Sequence, residues 1–171
     1  MQFWKTKRNE SARVLRLQHW QEGQRVLIMG EVSAEDVRWL SRRVEVVAVS
    51  DSNPECIKAL GKRLDSPDSQ QHIWLVSSDL TTTPWLQASF DHVWVCASRS
   101  RVDDDLLWRE CARVLRAGGG LSVCVDQSAV ASPDPVLGLV FGGFSQVSVV
   151  AKPSWNNPKT LLYQAIHAPH V

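Results

Sequence analysis

Long apolar runs are missing from this 171-residue sequence, and that absence is the first constraint. No stretch approaches the roughly 18 apolar residues of a membrane-spanning helix, and no signal peptide opens the chain. Charge of one sign is missing too: the net charge is +1, so overall electrostatics imply neither nucleic acid nor a membrane surface as partner. There is no GxGxxG, which argues against a dinucleotide dehydrogenase, and no GxxxxGKS/T, which removes a P-loop. The four cysteines, Cys56, Cys96, Cys111 and Cys124, form no CxxC pair, and no histidine stands at ligand spacing. A structural metal is therefore not expected. Cys96 and Cys124 lie in apolar runs and read as buried small hydrophobes in a reducing, cytoplasmic compartment.

What remains is an ordinary globular composition, with 44% hydrophobic and 22% charged residues, and its length fits one domain over residues 1–171. The eight tryptophans read mostly as packing residues whose indole N–H needs a partner. The stretch 44–55, VEVVAVSDSNPE, organises the chain. Val44, Val46, Val47, Ala48 and Val49 make the β-branched run of a buried central strand. Asp51 then stands at the strand's carboxyl end, the edge where open α/β sheets bind ligands. It can accept hydrogen bonds from both hydroxyls of a ribose, or it can cap the helix that starts near Pro54.

Taken in order, residues 1–24 carry Lys5, Lys7, Arg8, Arg13 and Arg16 against Glu10 and Glu22. This is either a basic arm for an acidic partner or RNA, or a charged surface helix over one end of the sheet. RVLIMG at 25–30 is a first strand, with a loop and a helix to about Arg43. Only Gly30 stands in that loop, before Glu31, Val32, Ser33 and Ala34. Residues 54–64 are the second helix, and HIWLVSSDL brings a third strand to Asp79 and Leu80. The Asp79 carboxylate can accept from an adenine amino group or close the turn before Thr81. FDHVWVCAS at 90–98 is a fourth strand. DDDLLWRECARVLR at 103–116 is a helix stopped by Gly118, Gly119 and Gly120, and LSVCVD ending at Asp126 is a fifth strand. Repeated strand–helix alternation predicts an α/β, doubly wound, mostly parallel sheet.

DSNPE at 51–55, SDL at 78–80, SFDHVW at 89–94 and WRECARVLRAGGGLSV at 108–123 stand in an order and spacing that resemble the class I S-adenosylmethionine-dependent methyltransferases of small-molecule type. GFSQVSVV at 143–150 and TLLYQAIHA at 160–168 resemble that family's closing hairpin, so the likeness spans roughly residues 20–168. The resemblance implies a seven-stranded sheet in three αβα layers, order 3-2-1-4-5-7-6, with a C-terminal antiparallel hairpin. It places S-adenosylmethionine on Gly30 and Glu31 of the first loop, on Asp51 and Ser52 for the ribose, on Asp79 and Leu80 for the adenine, and on Ala97 and Ser98 for the methionine portion.

The first loop departs from the family pattern. Ile28 replaces the usual acid of strand one, and Val32 and Ala34 replace its later glycines. Two functions follow. One is methyl transfer to a small-molecule acceptor or to one held by a protein partner. The other is a non-catalytic interaction or regulatory module, in which Val32 and Glu31 fill the methionine pocket. Only about residues 127–143 separate strands five and six, which leaves little to cover an acceptor. His92, Arg99 and Arg101 lie near the fourth strand, and none reads as a catalytic residue.

Overall fold

The computed structural model describes residues 15–16, 18–65, 72–97, 105–126, 139–140, 142–151 and 160–168. The strands are β1 (Arg25–Gly30), β2 (Val46–Asp51), β3 (Ile73–Ser77), β4 (Phe90–Ala97), β5 (Leu115–Asp126), β6 (Phe144–Ala151) and β7 (Thr160–His167). Among the described residues α1 (Ala34–Ser41), α2 (Pro54–Leu64) and α3 (Asp105–Val114) join them.

All seven strands form one sheet in the order β3-β2-β1-β4-β5-β7-β6, as the resemblance implies. β1 to β5 pair in parallel, and β7 runs antiparallel to both β5 and β6. The pairing of Gly120 with Ile166 and of Asp126 with Thr160 fixes that antiparallel register. β2 is buried along its whole length, which explains why its sequence is a continuous apolar run rather than an alternating one.

Two apolar layers sandwich the sheet. On one face Met29, Val93, Val95 and Val123 pack against Trp108 and Cys111 of α3. On the other Ile28, Val47, Val49 and Trp94 pack against Leu40 of α1 and Leu60 of α2. Ile28 is fully buried there, so the residue that replaces the family's strand-one acid is part of the core.

Helix ends follow local chemistry. Ser33 caps α1, accepting the Asp36 N–H at 3.1 Å, and Asn53 caps α2, accepting the Glu55 N–H at 3.0 Å, with Pro54 in the first turn. The glycines at 118–120 do not stop α3, contrary to expectation. The helix ends at Val114, Leu115 already pairs with Phe90, and the next paired residues are His92 and Gly120. Residues 116–119 therefore bulge out of β5. Gly120 sits where a Cβ would lie 2.7 Å from the His92 ring, so the close approach of that side chain demands glycine.

The N-terminal segment lies against the α1 face. Leu15 is buried in that core, Arg16 pairs with Glu35 at 2.9 Å and Asp36 at 3.1 Å, and Gln18 donates to the Ser122 hydroxyl at 2.6 Å. Trp20 returns its indole N–H to the Leu15 carbonyl at 2.9 Å. These contacts seat the described part of the segment on the α1 face of the sheet. Residues 1–14 of the expected basic arm lie outside the described residues.

Candidate functional site

Parallel pairing carries the ends of β1, β2 and β4 to one edge of the sheet. Gly30 pairs with Cys96 of β4, and Met29 pairs with Ser50, one residue before Asp51. Gly30 has φ of +99°, and a Cβ on it would overlap the Cys96 carbonyl oxygen. The first loop thus leaves β1 in a conformation that only glycine takes easily, and with no room for a side chain.

Asp51 ends β2 and is 9% exposed. Its Oδ1 accepts the Asn53 N–H at 2.7 Å, while Asn53 and not Asp51 caps α2. That bond orients the carboxylate and occupies one oxygen. The other oxygen takes no hydrogen bond from any described residue. A cavity of about 220 Å3 opens beside the residue, lined by Gly30, Val32, Val49, Asp51, Cys56 and Arg63 among others.

The non-catalytic alternative expects Val32 and Glu31 to fill the methionine pocket, whereas here both line an open cavity beside Gly30. Val32 is half-buried and packs against the core beneath α1 and α2, and the exposed Glu31 lines the cavity wall. Ala34, the other departure from glycine, is buried at the start of α1. The three replaced positions are thus taken up by packing.

The remaining expected site residues divide. Ser52 is exposed next to Asp51. Asp79 lies two residues beyond β3 at the same edge but does not line the Asp51 cavity, and its Oδ1 accepts both the N–H and the hydroxyl of Thr81 at 2.9 Å each. Asp79 thus closes the turn that follows β3. Leu80 is buried in the core on the α3 face. Ala97 ends β4 at the shared edge, and Ser98, Arg99 and Arg101 lie outside the described residues.

Sequence reasoning missed what holds this edge in place. Trp85 donates its indole N–H to the Ser50 hydroxyl at 2.8 Å, tying the loop after β3 to the strand that bears Asp51. The same loop is anchored from below: Glu110 accepts the Thr83 N–H at 2.8 Å and two bonds from Arg113 at 2.6 and 2.7 Å. Burial alone would raise the Glu110 carboxyl, yet the hydrogen bonds from Arg113 and Thr83 hold it below the ordinary carboxylate range. The signal was present as Glu110 and Arg113 three apart on α3, but nothing local points them at Thr83.

His92 is not at the site. It lies early in β4 on the α1 face, beneath Trp20, with Nε2 3.0 Å from the Ser122 hydroxyl. Burial pushes its pKa down to about 4, so the ring is neutral at physiological pH. Among the described residues there is no cluster of metal-ligating side chains and no helix long and apolar enough to cross a membrane.

Known proteins share this arrangement. The Mesorhizobium loti S-adenosylmethionine-dependent methyltransferase matches with a TM-score of 0.70 at 16% identity, covering 94% of this chain and 97% of that one. A chain from the complex between the Haloferax volcanii Trm112 methyltransferase activator and a methyltransferase matches with a TM-score of 0.73 at 17% identity, covering 96% and 90%. These likenesses concern the fold. In sequence, methyltransferase GfsG of Streptomyces halstedii is 28% identical over 128 residues, which is 74% of this chain and 46% of that protein. The chain thus spans about half the length of the curated relative it matches. The family model for the methyltransferase domain matches residues 27–123, from within β1 into β5, and the chain belongs to that family.

Proposed function

We propose that this chain binds S-adenosylmethionine, the cofactor of its family, at the Gly30–Asp51 edge and transfers the methyl group to an acceptor. One observation carries the reading: the Asp51 carboxylate is oriented by the Asn53 N–H through one oxygen and lines a cavity bounded by Gly30. The residues present fit the group. A carboxylate with one uncommitted oxygen suits the paired hydroxyls of a ribose, and a glycine backbone with φ of +99° lets a ligand approach the end of β1. When bound, the cofactor supplies an electrophilic methyl group on a sulfonium. The contribution of the chain is positioning and exclusion of water, and no covalent nucleophile is required.

The acceptor is a small molecule or a group held by a partner protein. The match to a methyltransferase solved with an activator protein supports a protein partner for this chain. The single-domain extent, 1–171, and the cytoplasmic setting are part of the same reading, supported by one continuous sheet and by four cysteines that carry free thiols.

Calorimetric titration with S-adenosylmethionine and S-adenosylhomocysteine tests the proposal. Both are expected to bind, and Asp51→Ala is expected to weaken both about ten- to a hundredfold, since a hydrogen bond to a charged group contributes roughly 1.5–3 kcal/mol. Absence of heat at millimolar ligand overturns the binding reading. Binding that is indifferent to Asp51→Ala overturns the assignment of the ribose to Asp51.

A further inference from the structure

The net charge of +1 hides an uneven distribution. α1 begins just after the carboxyl end of β1, so its last turn and the following Arg42 and Arg43 lie at the opposite, amino edge of the sheet. A second cavity opens there, about 310 Å3, between the end of α1 and the N-terminal segment. Its walls include Arg16, His19, Trp39, Arg42 and Arg43, with Glu22 as the acidic member.

The geometry of these cations is more specific than a solvated basic face. The Arg43 guanidinium lies 3.9 Å from the centre of the Trp39 ring and donates to the Trp39 carbonyl at 2.8 Å, which fixes its plane. Arg16 lies 5.9 Å from the same ring and is held by Glu35 and Asp36. Those two carboxylates answer the charge of Arg16 alone. The Arg42 side chain has no hydrogen bond or ion pair with any described residue. A helix end favours cations through its dipole, which accounts for one arginine here. It does not account for both Arg42 and Arg43, which have no carboxylate partner among the described residues and whose mutual repulsion an anion between them would relieve.

We propose that this amino-edge cavity binds the phosphate of a nucleotide or of a single-stranded nucleic acid. A guanidinium fork matches phosphate oxygens, and a guanidinium held flat on an indole offers a platform on which a base can stack. The site is separate from the Asp51 cavity, at the other edge of the sheet, and does not depend on cofactor binding there.

The experiment is fluorescence anisotropy of a fluorescein-labelled oligouridylate on the full chain, from about 50 mM salt upward, with uridine monophosphate as competitor. Uridine avoids the adenine that the cofactor site would recognise. Binding is expected at low salt and is expected to weaken steeply as salt rises. Arg42→Glu is expected to lower affinity by roughly tenfold or more, because Arg42 faces a charged ligand and supports nothing else. Asp51→Ala is expected to leave oligouridylate binding unchanged. Displacement by millimolar uridine monophosphate assigns the site to a phosphate monoester, and failure to displace assigns it to the polymer backbone; both support the site. No binding at low salt, or binding unaffected by both Arg42→Glu and the pair Arg42→Glu with Arg43→Gln, overturns it. Circular dichroism of each variant confirms that the fold is retained.

Discussion

Thr83 gives both its backbone N–H and its hydroxyl to a single oxygen of Glu110, at 2.8 and 2.5 Å, across 27 residues of sequence. Arg113 completes the arrangement from the same helix and also donates to the Thr83 carbonyl at 3.2 Å. A buried carboxylate here fastens the loop between β3 and β4 to α3.

Glu110→Ala is expected to destabilise the fold by about 2–3 kcal/mol, since it leaves Thr83 donors buried without an acceptor. The urea midpoint should fall with an unchanged slope. The pH dependence has a definite sign: the folded carboxyl titrates below its ordinary value of 4.5, so its stabilisation is present above that value and disappears as pH falls through the folded pKa. A variant as stable as the parent at pH 7 would show that the loop is held elsewhere.

His92 adds a second acid sensitivity of the same sign, beginning at higher pH. Its folded pKa is depressed from 6.5 to about 4, so the unfolded chain takes up the proton first, and stability declines as pH drops from 6.5 toward 4. The decline attributable to this ring amounts to at most about 3 kcal/mol. Replacing it by His92→Gln should flatten the stability profile across that interval. An unaltered profile would assign the acid limb to the carboxylates.

Gly30→Ala and Gly118→Ala separate space from conformation. Both glycines have positive φ, but only at Gly30 would a Cβ strike the backbone, while nothing lies within 4 Å of one at Gly118. The Gly118 change should cost about 1 kcal/mol from conformation alone, and the Gly30 change should cost more, up to about 3 kcal/mol. Thermal unfolding of the two proteins decides the order.

Asp79→Ala should weaken S-adenosylmethionine binding less than Asp51→Ala does. Asp79 is exposed and its Oδ1 already serves Thr81, so any adenine contact it makes is replaceable by water. Equal losses in the two variants would place both carboxylates in direct contact with the cofactor.

The Asp51 strand was legible because a parallel strand buried on both faces must be continuously apolar, and the run from Val46 to Val49 is, while the sheet order came from the family resemblance. The start of α2 was legible from Pro54, whose fixed φ suits the first turn of a helix. The glycines at 118–120 misled, because a bulge and a helix stop use the same residue for the same conformational freedom, and the close seat of His92 against Gly120 depends on packing between strands. The Trp85–Ser50 bond and the arginines around Trp39 were equally out of reach, since both depend on which loops the fold brings together.

The order β5-β7-β6 has a consequence for the chain during synthesis. β6 leaves the ribosome before β7, yet β7 is the neighbour that attaches it to the sheet. Until Thr160–His167 has emerged, β5 presents an open strand edge and β6 has nowhere to pair. β1 to β4 can meanwhile assemble from strands already made. Until β7 is made, the nascent sheet is thus exposed to wrong pairing with other chains at the edge farthest from Asp51.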